Sequence, residues 1–392
     1  MAPNKKRNVA FLSTYPSREC GLATFTQDLA RALDDMDLLR RPRVIAVSDN
    51  KNYSYSDRVI MELSQHDRES YIKTAQAVNS SDIELLVIEH EYGIFGGDSG
   101  EYILDFIDNL RIPVITTLHT VLSEPSSKQR KILRHLGKKS AKVVTMAKNT
   151  KPILETVYGI NPSKIEVIHH GVPYRALEKR EKLKEKHGFS GRSIVSTFGL
   201  LSPGKGLEYG IEAIAKVAKH HKDILYLILG QTHPVVKAQF GEAYREKLME
   251  MVDQLGIGDH VKFVDKYLTK DEIIHYLQLS DIYMTPYLGK EQAVSGTLAY
   301  AVGYGKVIVS TPYSYAQEML AEGRGLLAEF RDSDSLAKHI MYVLDNPQAK
   351  KEMEKRTLSV GRTMMWRNVA SHYTKLFIET LDNIKLADSV VV

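Results

Sequence analysis

Residues 281–312, DIYMTPYLGKEQAVSGTLAYAVGYGKVIVSTP, decide the fold. They read as a buried strand (Ile282 to Thr285), a loop of charged and small polar residues (Gly289 to Thr297), a helix (Leu298 to Val302), a glycine exit and a second buried strand (Val307 to Ser310). Strands that are apolar throughout, rather than at every second residue, belong to a parallel sheet covered on both faces. The loop that opens the helix offers free backbone N–H groups and the positive end of the helix dipole, so phosphate or another anion is its natural guest.

Outward from this stretch the same alternation repeats. Strands are predicted at 193–198, 224–229, 261–264 and 325–328, and, nearer the N-terminus, at 8–12, 43–47, 85–89, 114–118, 142–146 and 165–168. Between the two series lie His169, His170, Gly171, Val172 and Pro173, then ALEKREKLKEKHGFSGR (176–192), which reads as a solvated helix face or linker. The pattern therefore predicts two tandem doubly wound α/β domains, over residues 1–175 and 176–365. A final helix over 366–392 presents Trp366, Val369, Tyr373, Phe377 and Leu381 at helical spacing and needs a groove to bury them. Its last residues, LADSVVV (386–392), are expected to fray.

At 392 residues the chain suits two domains, and 43% apolar with 26% charged residues is a globular composition. A net charge of +5 with no aromatic interleaving in the basic runs does not point to nucleic acid. One cysteine, Cys20, excludes an internal disulfide and a thiolate metal site, which fits a reducing cytoplasm. The apolar run after MAPNKKR is too short for a signal segment, and no window approaches the roughly 18 apolar residues of a membrane span. Membrane contact is thus expected to be peripheral, at the inner face. Its candidate is 126–142, SSKQRKILRHLGKKSAK, rich in Lys and Arg with no acid. That helix reads either as solvated or acceptor-facing, or as resting on an anionic surface.

Ligands of doubly wound sheets bind outside the carboxyl ends of the strands, so the loops after strands hold the candidates. In STYPSRECGLATFT (13–26), Gly21 opens a helix with small residues behind it, and Arg18 can reach polar groups. In HEYGIFGGDSG (90–100), Gly93, Gly96 and Gly97 beside His90, Glu91 and Tyr92 read as a site loop or as a tight turn needing positive φ. His119 ends VITTLH (114–119), where an imidazole can donate to a sugar or carbonyl oxygen or serve the core. In TFGLLSPGKG (197–206), Gly199, Ser202 and Gly206 surround Lys205 at a helix start, which makes a phosphate cradle with its counter-charge or places a solvated lysine. The sequence contains no HExxH, EF-hand loop or GxSxG elbow.

The order of these parts resembles the retaining glycosyltransferases of the GT-B fold, family 4 (glycosyltransferase group 1). It rests on the glycine loop after the first strand, strand-final His119, the HHGVP junction (169–173), the Gly199–Gly206 loop, Gln292–Gly305 and the helix at Trp366. The resemblance implies two Rossmann-like domains facing across a cleft, with the C-terminal helix crossing back. The acceptor is held on the first domain and the donor on the second. It further implies a nucleotide-sugar substrate, no cofactor, no essential metal, and a same-face attack in which donor phosphate helps deprotonate the acceptor. By resemblance, His119 and Lys205 carry catalysis, with His119 at the donor sugar and Lys205 at the diphosphate. Gly21, Gly199, Ser202, Gly206, Glu291, Gln292, Ser295, Gly296, Thr297 and Tyr300 hold the donor. Arg18, His90, Glu91, Tyr92, Gly96 and Gly97 are the acceptor or sugar candidates.

The chain departs from the family at three places. Leu200 follows Gly199 where an arginine is usual. The positions of two paired glutamates fall on Gln292 and Tyr300, and a one-residue bulge would instead restore Glu291 as the first and leave no second. Arg324 or Lys290 are candidates for the missing diphosphate cation. The leading expectation is a cytoplasmic hexosyltransferase acting on a saccharide or glycoconjugate, with GDP-mannose ahead of a UDP-sugar as donor. The altered loop keeps two alternatives open: a phosphorylase using inorganic phosphate, and a non-catalytic sugar- or nucleotide-binding subunit. The sequence is silent on oligomeric state.

Overall fold

The computed structural model describes residues 6–49 and 51–390. The chain divides into two units: Met1–Pro173 with Met364–Val392, and Tyr174–Thr363. Each has its own parallel sheet.

The first unit holds β1 (Val9–Ser13), β2 (Arg43–Ser48), β3 (Val59–Ser64), β4 (Leu85–His90), β5 (Val114–Leu118), β6 (Lys142–Thr145) and β7 (Ile165–Val167). Their order across the sheet is β3-β2-β1-β4-β5-β6-β7, with every pairing parallel. β1, β4 and β5 are buried at every position, which is why they read as unbroken apolar runs. β3 is absent from the sequence reading. Most of its residues are half-buried or exposed, as befits an edge strand, so its pattern is diluted.

The second unit holds β8 (Ser193–Phe198), β9 (Ile224–Leu229), β10 (Val261–Val264), β11 (Ile282–Thr285), β12 (Val307–Ser310) and β13 (Leu326–Leu327), all parallel, in the order β10-β9-β8-β11-β12-β13. Its core joins Val195, Ile211, Ile214, Ile228, Met284 and Val309 with Leu336 and Ile340 from the helix Ser333–Asp345. Asp281, at the foot of β11, is tied to Lys184 at 2.8 Å, Lys350 at 2.6 Å and Arg180 at 3.4 Å, and accepts from the Ile194 N–H at 2.8 Å. Those cations hold its carboxyl down to about 2 against the cost of burial. The 176–192 stretch is therefore more than a solvated face. It forms the helix Arg180–Lys186, whose Leu183 and Lys184 are buried.

The helix Trp366–Val390 lies in the first unit against the helix Gly21–Asp34. Trp366, Val369, Tyr373, Phe377 and Leu381 are all buried, and the Tyr373 hydroxyl bonds Thr117 Oγ1 of β5 at 3.2 Å. At its start Val172 N donates to Met364 O at 2.8 Å and Trp366 N to Val172 O at 3.0 Å, stitching the returning chain to the departing one. The indole lies on Gly171, where a Cβ would come within 2.1 Å of the ring. Of the stretch expected to fray, residues 386–390 continue the helix to Val390, and residues 391–392 lie outside the described residues.

Candidate functional site

In each sheet the strand order reverses once, between β1 and β4 and between β8 and β11. Connections leave opposite faces of the sheet at such a point, so a crevice opens at the carboxyl ends of those strands. The loops singled out above are the ones that flank it.

In the second unit β8 runs into Gly199 at φ +133°, whose missing Cβ would touch Thr297 Cγ2 at 3.4 Å. The chain turns through Pro203–Lys205 and reaches Gly206 in the left-handed region at φ +59°. A Cβ there would lie 2.2 Å from Pro286 O, so only glycine fits. The helix Leu207–Val217 starts next with no side-chain cap, which leaves its leading N–H groups for solvent or an anion. Leu288 N donates to Gly204 O at 3.0 Å and locks this loop to the one after β11. Lys205 rests over the Tyr287 ring, 3.9 Å from its centroid, and forms no ion pair among the described residues.

The loop after β11 is internally bonded. Ser295 Oγ accepts from Leu298 N at 3.3 Å and caps the helix Gly296–Gly303, which begins two residues before its predicted start. Thr297 Oγ1 bonds the Tyr287 hydroxyl at 2.9 Å and Ser295 Oγ at 3.1 Å. Gln292 Nε2 donates to Val294 O at 3.1 Å, while Glu291 stands exposed at the rim. Tyr300 points inward, 8% exposed, with its ring centroid 6.3 Å from that of Phe198. Arg324 is not a free cation. The residue is 9% exposed, and its guanidinium donates to Met319 O, Glu318 O and Glu322, closing the end of the helix Ser314–Met319. Lys290 lies over Phe330 at 5.5 Å.

In the first unit His119 follows β5, and its backbone N donates to His90 O at 3.0 Å. Its Nε2 sits 2.8 Å from Glu89 Oε2, and its ring meets Phe25 edge-on at 4.8 Å. Glu89 is fully buried within β4, and its Oε1 has no partner among the described residues. Burial raises the carboxyl's pKa, and the His119 contact partly counters that. Sequence reasoning missed Glu89. Its signal was a lone acid inside the apolar run LLVIEH (85–90). Gly21 is the first residue of its helix, exposed, with open space where a Cβ would project, and Cys20 Sγ caps the helix by accepting from Ala23 N at 3.3 Å. Arg18 reaches across to Val47 O and to Gln65 Oε1, both at 3.1 Å.

The 90–100 loop corrects the sequence reading. His90 is wholly buried between Tyr92 and Phe95, shut off from solvent, and burial pushes its pKa down to about 3. Tyr92 is 8% exposed, and Glu91 turns back to Tyr92 N and to the Thr120 hydroxyl. Gly96 is buried, whereas Gly97 is exposed. A Cβ on Gly96 would strike Gln65 O at 2.0 Å, and Gly97 holds φ +79°. These glycines serve close packing, the turn alternative of the sequence reading.

Among the described residues no group of three or more His, Cys, Asp or Glu is placed to hold a metal ion, and no helix is long and apolar enough to cross a membrane.

Two family models match the chain: one described as Glycosyltransferase Family 4 over residues 20–175, and one as Glycosyl transferases group 1 over residues 179–359. Among curated proteins, an uncharacterized glycosyltransferase of Methanocaldococcus jannaschii is 26% identical over 247 residues, 61% of this chain and 59% of the relative. A GDP-mannose-dependent alpha-(1-6)-phosphatidylinositol monomannoside mannosyltransferase of Mycolicibacterium smegmatis is 23% identical over 229 residues, 56% of this chain and 57% of the relative. The chain thus spans somewhat under three fifths of the length of these relatives. Among solved structures, Anabaena HepE in complex with UDP aligns with TM-score 0.75 at 16% identity, over 95% of this chain and 100% of that one. Sucrose-phosphate synthase from Thermosynechococcus elongatus aligns with TM-score 0.78 at 15% identity, over 96% and 100%. At such identities the likeness is one of fold.

Proposed function

The chain belongs to the group 1, family 4-like glycosyltransferases of GT-B fold, and from that premise we propose that it transfers a hexose from a nucleoside diphosphate sugar to a saccharide or glycoconjugate with retained configuration. The observation that carries the reading is the second unit's switch point. There the uncapped start of Leu207–Val217, Gly206 in the left-handed region and unpaired Lys205 come together with the Ser295–Thr297 turn.

Negative charge grows on the leaving diphosphate as the bond to the sugar breaks. Fixed N–H donors and an ammonium at that place lower the barrier without reorganising. Lys205 need only swing from the Tyr287 ring to a phosphoryl oxygen, exchanging a cation–π contact for a charge-assisted hydrogen bond. In the first unit, His119 is the group for the transferred sugar. Its Nε2 is committed to Glu89, so Nδ1 is the nitrogen left to meet a hydroxyl. Deprotonation of the acceptor falls to the donor's own phosphate. The donor proposed first is GDP-mannose, the nucleotide sugar in the name of the mycobacterial relative, with UDP-hexoses next, as UDP is in the Anabaena complex.

Calorimetric titration of the folded protein with GDP, UDP and their hexose conjugates tests the reading. A nucleoside diphosphate is expected to bind, and Lys205→Ala to weaken it by about 1.5–3 kcal/mol. No binding of any nucleoside diphosphate to folded protein would overturn the proposal.

A further inference from the structure

The helix Ser127–Lys139 of the first unit contains no acid, and its cations divide between two faces. On one, Lys128 bonds Asp98 and Glu101 at 3.0 and 3.1 Å, and His135 and Lys139 both bond Asp108 at 2.8 Å. On the other, Arg130, Lys131, Arg134 and Lys138 are exposed and their side chains form no ion pair or hydrogen bond among the described residues. Like charges three and four residues apart repel. The helix tolerates this because Ile132, Leu133 and Leu136 are buried beneath it and a Ser126–Gln129 capping box fixes its start.

The unpaired face lines a groove of about 640 Å³, whose far wall is the 158–161 turn. Two features shape it for charge. Arg134 lies across Gly159, whose φ of +65° shapes the turn, with its Nη2 at ordinary contact distance, 3.5 Å, from where a Cβ would stand. Lys164 closes one end with its ammonium donating to Gly137 O, Lys138 O and Ser140 O at 3.3, 3.0 and 2.8 Å. Those bonds use all three of its donors, so Lys164 adds positive field and leaves direct contact to the helix.

We propose that this groove binds a phosphoryl-bearing anion of the pyrophosphate or phosphomonoester class, gripped by Arg130 and Arg134 and flanked by Lys131 and Lys138. Guanidinium forks match phosphoryl oxygens two at a time. Arg130 and Arg134 are one turn apart, about 6 Å along the axis, a separation that a diphosphate spans with one phosphoryl group for each fork. The volume lies in the range of small-ligand sites. Of the rings along the groove, Tyr158 is buried and His135 is held by Asp108, so the exposed lining is chiefly cationic. The site lies within the first unit, and its proposal does not rest on the transfer reaction proposed above.

The test is protection of Arg130 and Arg134 from phenylglyoxal by inorganic pyrophosphate, mapped by mass spectrometry on the full chain, with calorimetry in a Lys205→Ala background to weaken any binding in the second unit. Pyrophosphate is expected to protect both arginines. R130Q/R134Q is expected to lower its affinity about tenfold or more at roughly 0.1 M salt, whereas K128Q/K139Q, with the same charge change on the paired face, shifts it less than about twofold. Vesicles of phosphatidylcholine with phosphatidic acid separate the sources. Sedimentation with them that pyrophosphate reverses assigns the phosphoryl group to a lipid headgroup; pyrophosphate binding without sedimentation assigns it to a soluble ligand. Absence of protection, or equal losses in the two double variants, overturns the proposal, since net charge alone would then account for any binding.

Discussion

His119 draws its chemical meaning from Glu89. A buried carboxylate at 2.8 Å fixes which face of the imidazole looks outward, and the apolar residues around β4 keep water from competing for it. We expect His119→Ala to lower kcat by about 10²-fold or more while nucleoside diphosphate affinity stays within about twofold; steady-state kinetics beside calorimetry checks this, and an unchanged kcat removes His119 from the site. The buried histidines set a second expectation. Burial holds His90 near 3 and His170 near 4, so both are neutral in the folded protein well below the ordinary histidine value of about 6.5. The unfolded chain binds those protons first, so stability is unaffected above about pH 6.5 and falls as pH drops from there toward 4. Melting curves of His170→Asn, which keeps a donor for Gly171 O, are expected to fall less steeply over that window than wild type. His119 was legible because it ends an apolar strand, whereas Glu89 was not, because a sequence does not show which strand neighbour a buried acid meets. His90 misled in turn: it is the last residue of β4 and carries a buried ring, whereas His119, one residue past β5, is partly exposed.

At the scale of elements, the strands of both units were readable because two-sided burial leaves continuous apolar runs; the edge strand β3 escaped because one-sided burial does not. The site loops were readable as glycine-rich, yet the reason for each glycine was not. Gly206 allows the loop after β8 to touch the one after β11, Gly96 makes room for a neighbouring backbone, and Gly21 abuts nothing. Gly206→Ala is therefore expected to cost about 2–4 kcal/mol, from positive φ and the Pro286 O clash together, and to weaken nucleotide binding. Gly21→Ala is expected to leave stability within about 0.5 kcal/mol of wild type. Chemical denaturation of the two variants checks the contrast, and equal stabilities would show that the loop relaxes around the added methyl.

For the whole molecule the informative fact is that the first unit is built from two separated pieces of chain. Trp366, Tyr373 and Phe377 complete its core, so residues 1–173 produced alone are expected to melt lower and bind a hydrophobic dye. Supplying 364–392 as a peptide is expected to restore a cooperative transition, and residues 174–363 are expected to fold without either. Circular dichroism melts of the three polypeptides decide it, with full stability of 1–173 alone as the contrary result. The sequence showed the apolar stripe of the last helix, but periodicity says only that a stripe needs a partner and does not name it.

The pairing of Val172 with Met364 and Trp366 also sets an order of events during synthesis. Everything needed for the second unit leaves the ribosome in one run, whereas the first unit waits for its closing helix until all of the second has been made, roughly 10–40 s at ordinary elongation rates. Through that interval the surface that will meet Trp366 and Phe377 is bare, and the half-made protein is at its most dependent on chaperones.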